Sequence, residues 1–244
     1  MIKGLPKTLA VAALFFAAAI CSCTKEITIT DSVRFAFFSN TYPVSPFSGF
    51  TAILPEVVLE IKKHKPAFVI HGGNAIYGGS RDYGIKEKDI RRQLKIFFSK
   101  LEELSLPFYL IPGEKDLYND SAALISEYSG RSSYFSFNYG SIHFVCIGSD
   151  KAANFIGDRE LQWLQRDLTN QKSSTVFVIL SRPFFNGKKS SLPVPEELHK
   201  IFVQNKVRCV FSSGAEEFSR NIDFVRYISL NCGGYNNPKD NKKA

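Results

Sequence analysis

Short apolar runs recur down this chain, each bounded by turn residues and each separated from the next by a stretch with helical spacing. They cover residues 33–38, 68–71, 108–111, 142–147, 175–180 and 207–211. Runs of four to six residues that stop at Gly, Pro, Ser or Asn read as buried strands. Between them, Ile53, Val57, Val58 and Ile61 mark a helix over 51–64, and Ile90, Leu94, Phe97, Phe98 and Leu101 mark one over 85–104. Shorter helices are expected over 121–128, 158–168 and 196–205. Strands alternating with helices predict an α/β layered sandwich. Residues 134–139 alternate apolar and polar, turn at Gly140-Ser141 and return, so one hairpin joins the pattern. A second hairpin is expected near the C-terminus, where 224–230 closes the sheet region. The sheets are therefore mixed, or two sheets stack between helices. No internal repeat and no linker divides the chain.

The 244 residues suffice for one large domain with a sizeable core. With 22 Phe and one residue each of Met and Trp, that core is expected to be built from Phe, Leu, Ile and Val. The formal charge of +8 is scattered, with no long basic run. Such a surface favours anionic lipid or polyanionic glycan. No nucleic-acid motif accompanies the charge, so no nucleic-acid partner is expected. Cys146 and Cys209 sit in apolar runs and read as small buried hydrophobes. With Cys232 they leave an odd number after Cys23, which gives no tidy disulfide framework.

Residues 1–22 have a positive start at Lys3 and Lys7, an apolar run over 9–20 and small residues before a cysteine. That is the pattern of a secretory signal peptide, with a run too short to span a membrane. Ile20-Cys21-Ser22-Cys23 resembles the bacterial lipobox, with Cys23 at the lipidated position. Cys21 fits it poorly, because Ile20 would stand where a small residue belongs. The resemblance implies cleavage before Cys23 and acylation of that residue. It also implies a lipid bilayer as partner and a place in the bacterial cell envelope, on the extracytoplasmic face. An ordinary cleaved signal followed by a stray cysteine is the alternative. The expected organisation is a signal peptide over 1–22, a polar tether over 23–32, one domain over 33–235 and a polar tail over 236–244.

Five strands end in loops of special composition: Ser39-Asn-Thr-Tyr42, Gly72-Gly-Asn74, Gly113-Glu-Lys-Asp116, Ser181-Arg-Pro183 and Ser213-Gly-Ala-Glu-Glu217. Their order and spacing resemble the calcineurin-like metallophosphoesterases, which carry Asp-x-His, Gly-Asp, Gly-Asn-His-Asp/Glu, His-x-Pro and Gly-His-x-His at successive strand ends. Pro66-Ala-Phe-Val-Ile-His-Gly-Gly-Asn74, Phe108-Tyr-Leu-Ile-Pro-Gly113, Tyr134-Phe-Ser-Phe-Asn-Tyr-Gly140 and Leu161-Gln-Trp-Leu164 are similar to that family's framing segments. The resemblance covers roughly residues 33–235. It implies a four-layer α/β/β/α metallophosphoesterase-like sandwich with mixed sheets.

The family uses two divalent metals to clamp both oxygens of an in-line displacement at phosphorus. At the matching positions this chain has Asn40 for the first aspartate, Tyr42 for its histidine and Asn74 for the bridging aspartate. Glu114 and Lys115 replace asparagine and histidine, Ser181 replaces the histidine of His-x-Pro, and Ala215 and Glu217 replace the last two histidines. Asp116, which is no metal ligand in the family, is kept. An ammonium at Lys115 repels a metal. The expectation is therefore a lipoprotein pseudoenzyme that binds or scaffolds, with neither catalytic residue nor metal cofactor. The alternatives are a phosphomonoester or phosphodiester hydrolase of this family with an atypical site, and a lipid-anchored structural protein. Lys115 and Arg182 could form an ion-pair cluster with Glu114, Glu217 or Asp116 in the volume of the lost metals, or an anion receptor. A site of carboxylates alone, from Glu114, Asp116, Glu216 and Glu217, would suit Ca²⁺ or Mg²⁺. The aromatic loops 42–50 and 183–185 are the expected patch for a protein partner. His64 and His199 fall on expected helices and are read as surface residues, and His71 and His143 as structural ones.

Overall fold

In the computed structural model, residues 33–50, 53–78, 84–148, 156–182, 193–214 and 218–230 are described. The signal, tether and tail segments, Cys23, Cys232, the 183–185 loop and residues 215–217 lie outside them.

Three parallel strands form a first sheet in the order β1 (Phe35–Phe38), β2 (Phe68–His71), β3 (Phe108–Leu110). All four residues of β2 are buried, which requires cover on both faces of that sheet. Period-two alternation supplies it. Val69 points to one side with Phe38 and Leu110, into a cluster with Leu54, Val58 and Ile61 of α1 (Ile53–His64). Ile90, Leu94 and Phe97 of α2 (Glu87–Glu102) and Ile125 of α3 (Ala123–Ser129) complete that cluster. Phe68 and Ile70 point the other way, onto a second sheet.

The second sheet has six strands. They are β4 (Tyr134–Tyr139), β5 (Ile142–Ile147), β6 (Thr175–Leu180), β7 (Val207–Ser213), β8 (Phe218–Ile222) and β9 (Val225–Leu230), in the spatial order β4-β5-β6-β7-β9-β8. The inner four are parallel, and the edge strands β4 and β8 are antiparallel to their neighbours. Val145, Val178, Val210 and Tyr227 face outward onto α4 (Asp158–Asn170) and α5 (Glu196–Gln204). Phe144, Cys146, Ile179 and Phe177 face the first sheet. The molecule is thus a four-layer α/β/β/α sandwich of one parallel and one mixed sheet, the layered α/β arrangement that the spacing of apolar residues predicted and the four layers that the resemblance implied. Among the described residues no helix is long and apolar enough to cross a membrane.

The abundance of Phe finds its place between the sheets. Phe68 stacks on Phe35 at 5.5 Å and meets Tyr109, Phe137 and Phe144 edge-on, while Phe137 stacks on both Tyr109 and Phe144. Such edge-to-face and offset contacts add to the stability gained by burial alone. Cys146 and Cys209 are free and buried, and burial pushes the Cys209 thiol up to about 12, so both serve as packing.

Local signals set several boundaries. The N–H of Lys86 donates to Asp89 three residues on, and that of Gly157 to Glu160, so α2 and α4 begin on a carboxylate that reaches back. Gly130, at φ +66, ends α3. Expected and observed elements agree within a few residues, with two differences. The C-terminal hairpin has a definite first strand, β8, whose polar Ser219, Arg220 and Asn221 hide the strand pattern. Glu114–Asp116 forms a single 3₁₀ turn instead of open loop.

Parallel strands bring their C-terminal ends to one edge in both sheets. At that edge Ser213, at the end of β7, donates to the carbonyl of Gly72, just after β2, at 3.4 Å. At the opposite edge the ring of Tyr139, ending β4, lies 5.2 Å from Phe68, starting β2.

Candidate functional site

The edge holding the strand C-termini is built from three crossing loops, and one carboxylate ties two of them together. Asp116 follows β3 and is 1% exposed. One of its oxygens accepts the N–H of Asn74 and of Gly113, each at 2.7 Å, and the other accepts Ala75 and Ile76 at 2.7 and 3.0 Å. Burial pushes its pKa up to about 6, against the four amides, which favour the charged form. It remains a carboxylate at neutral pH.

The loops touch backbone to backbone, which is why glycines stand there. A Cβ on Gly73, whose φ is +98, would lie 2.6 Å from the nitrogen of Gly113. The loop after β1 is zipped onto the loop after β2: Asn40 donates to the Gly73 carbonyl at 3.0 Å and Tyr42 to that of Asn74 at 3.2 Å.

Asn40 and Asn74 both adopt left-handed backbone, at φ 57 and 59. Asparagine tolerates this better than most residues. The two side chains are joined, with Asn74 Nδ2 donating to Asn40 Oδ1 at 2.8 Å. The remaining oxygen of Asn74 accepts the Lys115 N–H at 3.0 Å. The amide at the bridging position is therefore engaged at both ends within the protein.

Lys115 does not pair with Asp116, one of three carboxylates that could have joined it in an ion-pair cluster, because the Asp116 oxygens are filled by amides. The Lys115 ammonium lies 4.9 Å from the ring centre of Tyr42 and 4.8 Å from that of Tyr77, and the two rings meet edge to face at 5.9 Å. A cation between two aromatic faces is held by their quadrupoles without a counter-ion. Tyr77 is fixed by Gln93 of α2, which is 1% exposed, accepts the Tyr77 N–H at 2.8 Å and donates to its carbonyl at 3.0 Å. Glu114 is exposed, while Ser181 is buried, with its carbonyl accepting Ser213 Oγ at 3.0 Å. Arg182 follows at the end of β6, and Ala215, Glu216 and Glu217 lie outside the described residues.

These residues do not fit a dinuclear metal centre. Where the resemblance would put a bridging carboxylate stands the Asn74 amide, with both its ends bonded, and the Lys115 ammonium nearby would repel a metal. Among the described residues no group of three or more His, Cys, Asp or Glu is placed to hold a metal ion.

None of the histidines compensates. His64 is exposed beside Glu60. His143 bonds Asn138 at 2.7 Å and Asp167 at 2.8 Å. His199, expected at the surface, is buried and bonds Tyr227 and Asp223. His71 lies under the site. The Gly73 N–H donates to His71 Nδ1 at 3.1 Å, so the ring proton is on Nε2, 3.0 Å from Thr41 Oγ1. Reading the sequence alone missed Tyr77, Gln93 and Thr41.

Replacing Lys115 with Met should lower stability by about 1 kcal/mol, two partly exposed cation–π contacts being lost while the stem is kept. Thermal unfolding would show a drop of a few °C, and Lys115→Arg should restore most of it. An unchanged melting temperature would mean that the aromatic clamp holds nothing.

No family model matches the chain, and the search of curated proteins finds no match. Solved structures do resemble it. A dimetal phosphatase from Danio rerio superposes with a TM-score of 0.63 at 12% identity, over 81% of this chain and 87% of that one. A purple acid phosphatase from yellow lupin (Lupinus luteus) seeds gives 0.63 at 11%, over 81% and 43%. GAP50, the anchor in the inner membrane complex of Plasmodium, gives 0.55 at 13%, over 81% and 70%. At such identities the likeness is one of fold, and the fold is that of the metallophosphoesterases.

Proposed function

We propose that this chain, with its metallophosphoesterase fold, is a lipid-anchored envelope protein whose old catalytic edge binds a partner instead of hydrolysing a phosphoester. The observation that carries this reading is the pair of substitutions at the centre of the edge. Asn74 and Asn40 satisfy one another where a bridging carboxylate would stand, and Lys115 lies between Tyr42 and Tyr77 where a histidine would. Fold alone does not carry function, so the argument rests on these side chains. Val44 and Phe47 in the loop after β1 are 60% and 55% exposed beside this edge, which suits a protein partner; an anionic ligand near Lys115 is the narrower form of the same reading. The anchor is Cys23, acylated after removal of the signal, which places the domain on the extracytoplasmic side of a bacterial membrane. One structural neighbour is described as an anchor in a membrane complex, a precedent for the fold in such a setting.

The test is metal analysis of the purified protein together with assays of a phosphomonoester and a phosphodiester in added Mn²⁺ or Zn²⁺. Substoichiometric metal and no turnover above buffer are expected. Stoichiometric Mn, Fe or Zn with hydrolysis would establish the rival reading, a hydrolase with a rebuilt site. The anchoring is checked by intact mass, which should show acyl chains that Cys23→Ser abolishes.

A further inference from the structure

The edge opposite the site carries a second surface. We propose that this edge, where the parallel strands begin, docks flat on an anionic bilayer with Phe224 inserted among the headgroups. The inference rests on the anchoring at Cys23 and adds an orientation to it.

The first observation is Phe224. It is the second residue of the two-residue turn between β8 and β9, since Ile222 pairs with Val225. Asp223 and Phe224 have φ of 46 and 69. Such turns call for Asn-Gly or Asp-Gly, and a bulky residue in left-handed backbone is strained. Phe224 is also 97% exposed, the most exposed of the large hydrophobic residues in the described structure. The fold gains nothing from this ring in this place.

The second observation is charge. Exposed Lys65, Lys172, Lys206, Arg208 and Arg226 stand within three residues of the first residues of β2, β6, β7 and β9, and exposed Lys62 is in the last turn of α1, which leads to β2. A bulge in β7 sets Arg208 out of register between Val207 and Cys209, and Arg208 and Arg226 line the same groove as Phe224. Among the described residues the acids at this edge are Glu60, Glu102, Glu103, Asp167, which bonds His143, and Asp223. Glu60 is bonded to Lys63 and His64, Glu103 to Lys100, and Asp223 to His199. The edge is thus net basic, and an aromatic ring flanked by cations suits the interface of an anionic membrane.

The third observation is where the chain enters. Val33 lies two residues before β1, whose first residue pairs with Phe68 at the start of β2, so the domain is joined to residues 23–32 at this same edge. Ten residues reach at most about 35 Å. An acylated Cys23 therefore keeps the basic edge within reach of the headgroups, and docking of that edge turns the Lys115 edge away from the bilayer, open to a partner.

The test uses full-length protein reconstituted into vesicles of phosphatidylcholine, with or without one third phosphatidylglycerol, both carrying brominated lipid as a quencher. In Phe224→Trp, the emission added to that of Trp163 should be quenched at least twofold more in the anionic vesicles, and 0.5 M NaCl should reverse this. Phe47→Trp, on the other edge, should show no such quenching. Arg208→Glu combined with Arg226→Glu should remove the effect of the anionic lipid. Equal quenching at the two positions, or none at Phe224→Trp, would overturn the proposal. Intact mass of the same preparation separates the two readings. Protein without acyl chains sinks the anchoring, whereas salt-sensitive quenching of that unacylated protein would still uphold the docking edge.

Discussion

Replacing Asp116 with Asn is expected to destabilise the protein by about 4 kcal/mol at pH 7 and to lower its melting temperature by about 10 °C. The side chain keeps its shape, so the cost comes from hydrogen bonding alone. Two amides point at each carboxylate oxygen, and all four belong to the loops after β2 and β3. An Asn at this position offers one oxygen and one NH₂, so two buried N–H groups would face a donor. Each loses its partner inside the protein, where water cannot replace it. The same amides hold Asn74 against Asn40 and set Lys115 beside Tyr42, so the variant should also loosen the candidate site. Differential scanning calorimetry measures the loss, and a melting temperature within 3 °C of wild type would show that the carboxylate is not the tie it is described to be.

The second large effect concerns acid. His71 is fully buried between Phe38 and Phe97, and burial holds its pKa at about 3. Geometry acts in the same direction, because a proton on Nδ1 would meet the N–H of Gly73. Unfolded, the residue titrates near 6.5, so between pH 6.5 and 3 the unfolded chain binds the extra proton and stability falls with pH. Asp116 works the other way. Its folded pKa of about 6 lies above the unfolded 3.8, so its contribution is fully present below 3.8 and is lost as pH rises through 6. Over pH 6.5 to 4 the two terms are each on the order of 3 kcal/mol and opposed. The wild type should therefore be nearly flat in this window as far as these two groups decide it. His71→Asn, whose side-chain oxygen can still accept the Gly73 N–H, should gain stability relative to wild type as pH falls. Asp116→Asn should lose it by a similar amount. Urea unfolding at pH 4, 5, 6 and 7 gives the slopes whatever the variants' levels at pH 7, and parallel curves for all three proteins would refute the assignment.

Much of the architecture was legible in the chain itself. Phe68-Val-Ile-His71 is apolar throughout because both its faces are covered, and the strand had to be central. The helices were set by Ile90, Leu94, Phe97 and Leu101 falling on one stripe. Strand β8 was hidden because, as an edge strand, it spends Ser219, Arg220 and Asn221 on solvent. His199 was misplaced because helical position alone does not tell which face meets Tyr227. The likeness of the strand-end loops to metallophosphoesterase motifs led to the right fold even though the ligands themselves had changed.

What the sequence determined by itself is the alternation of strands with helices and the identity of the residues at each strand end. Both follow from short-range rules, the period of apolar residues and the turn chemistry that stops a strand. What only the tertiary structure decided is how those strand-end residues use one another. Lys115 and Asp116 are neighbours in sequence and oppositely charged, and Asp116 was one of three carboxylates read as a possible partner for Lys115. Folding turns them apart in one 3₁₀ turn, sending the carboxylate inward to four amides and the ammonium outward between two tyrosine rings. The reason is that buried backbone donors on two crossing loops must be satisfied, and that requirement comes into being only when the loops meet.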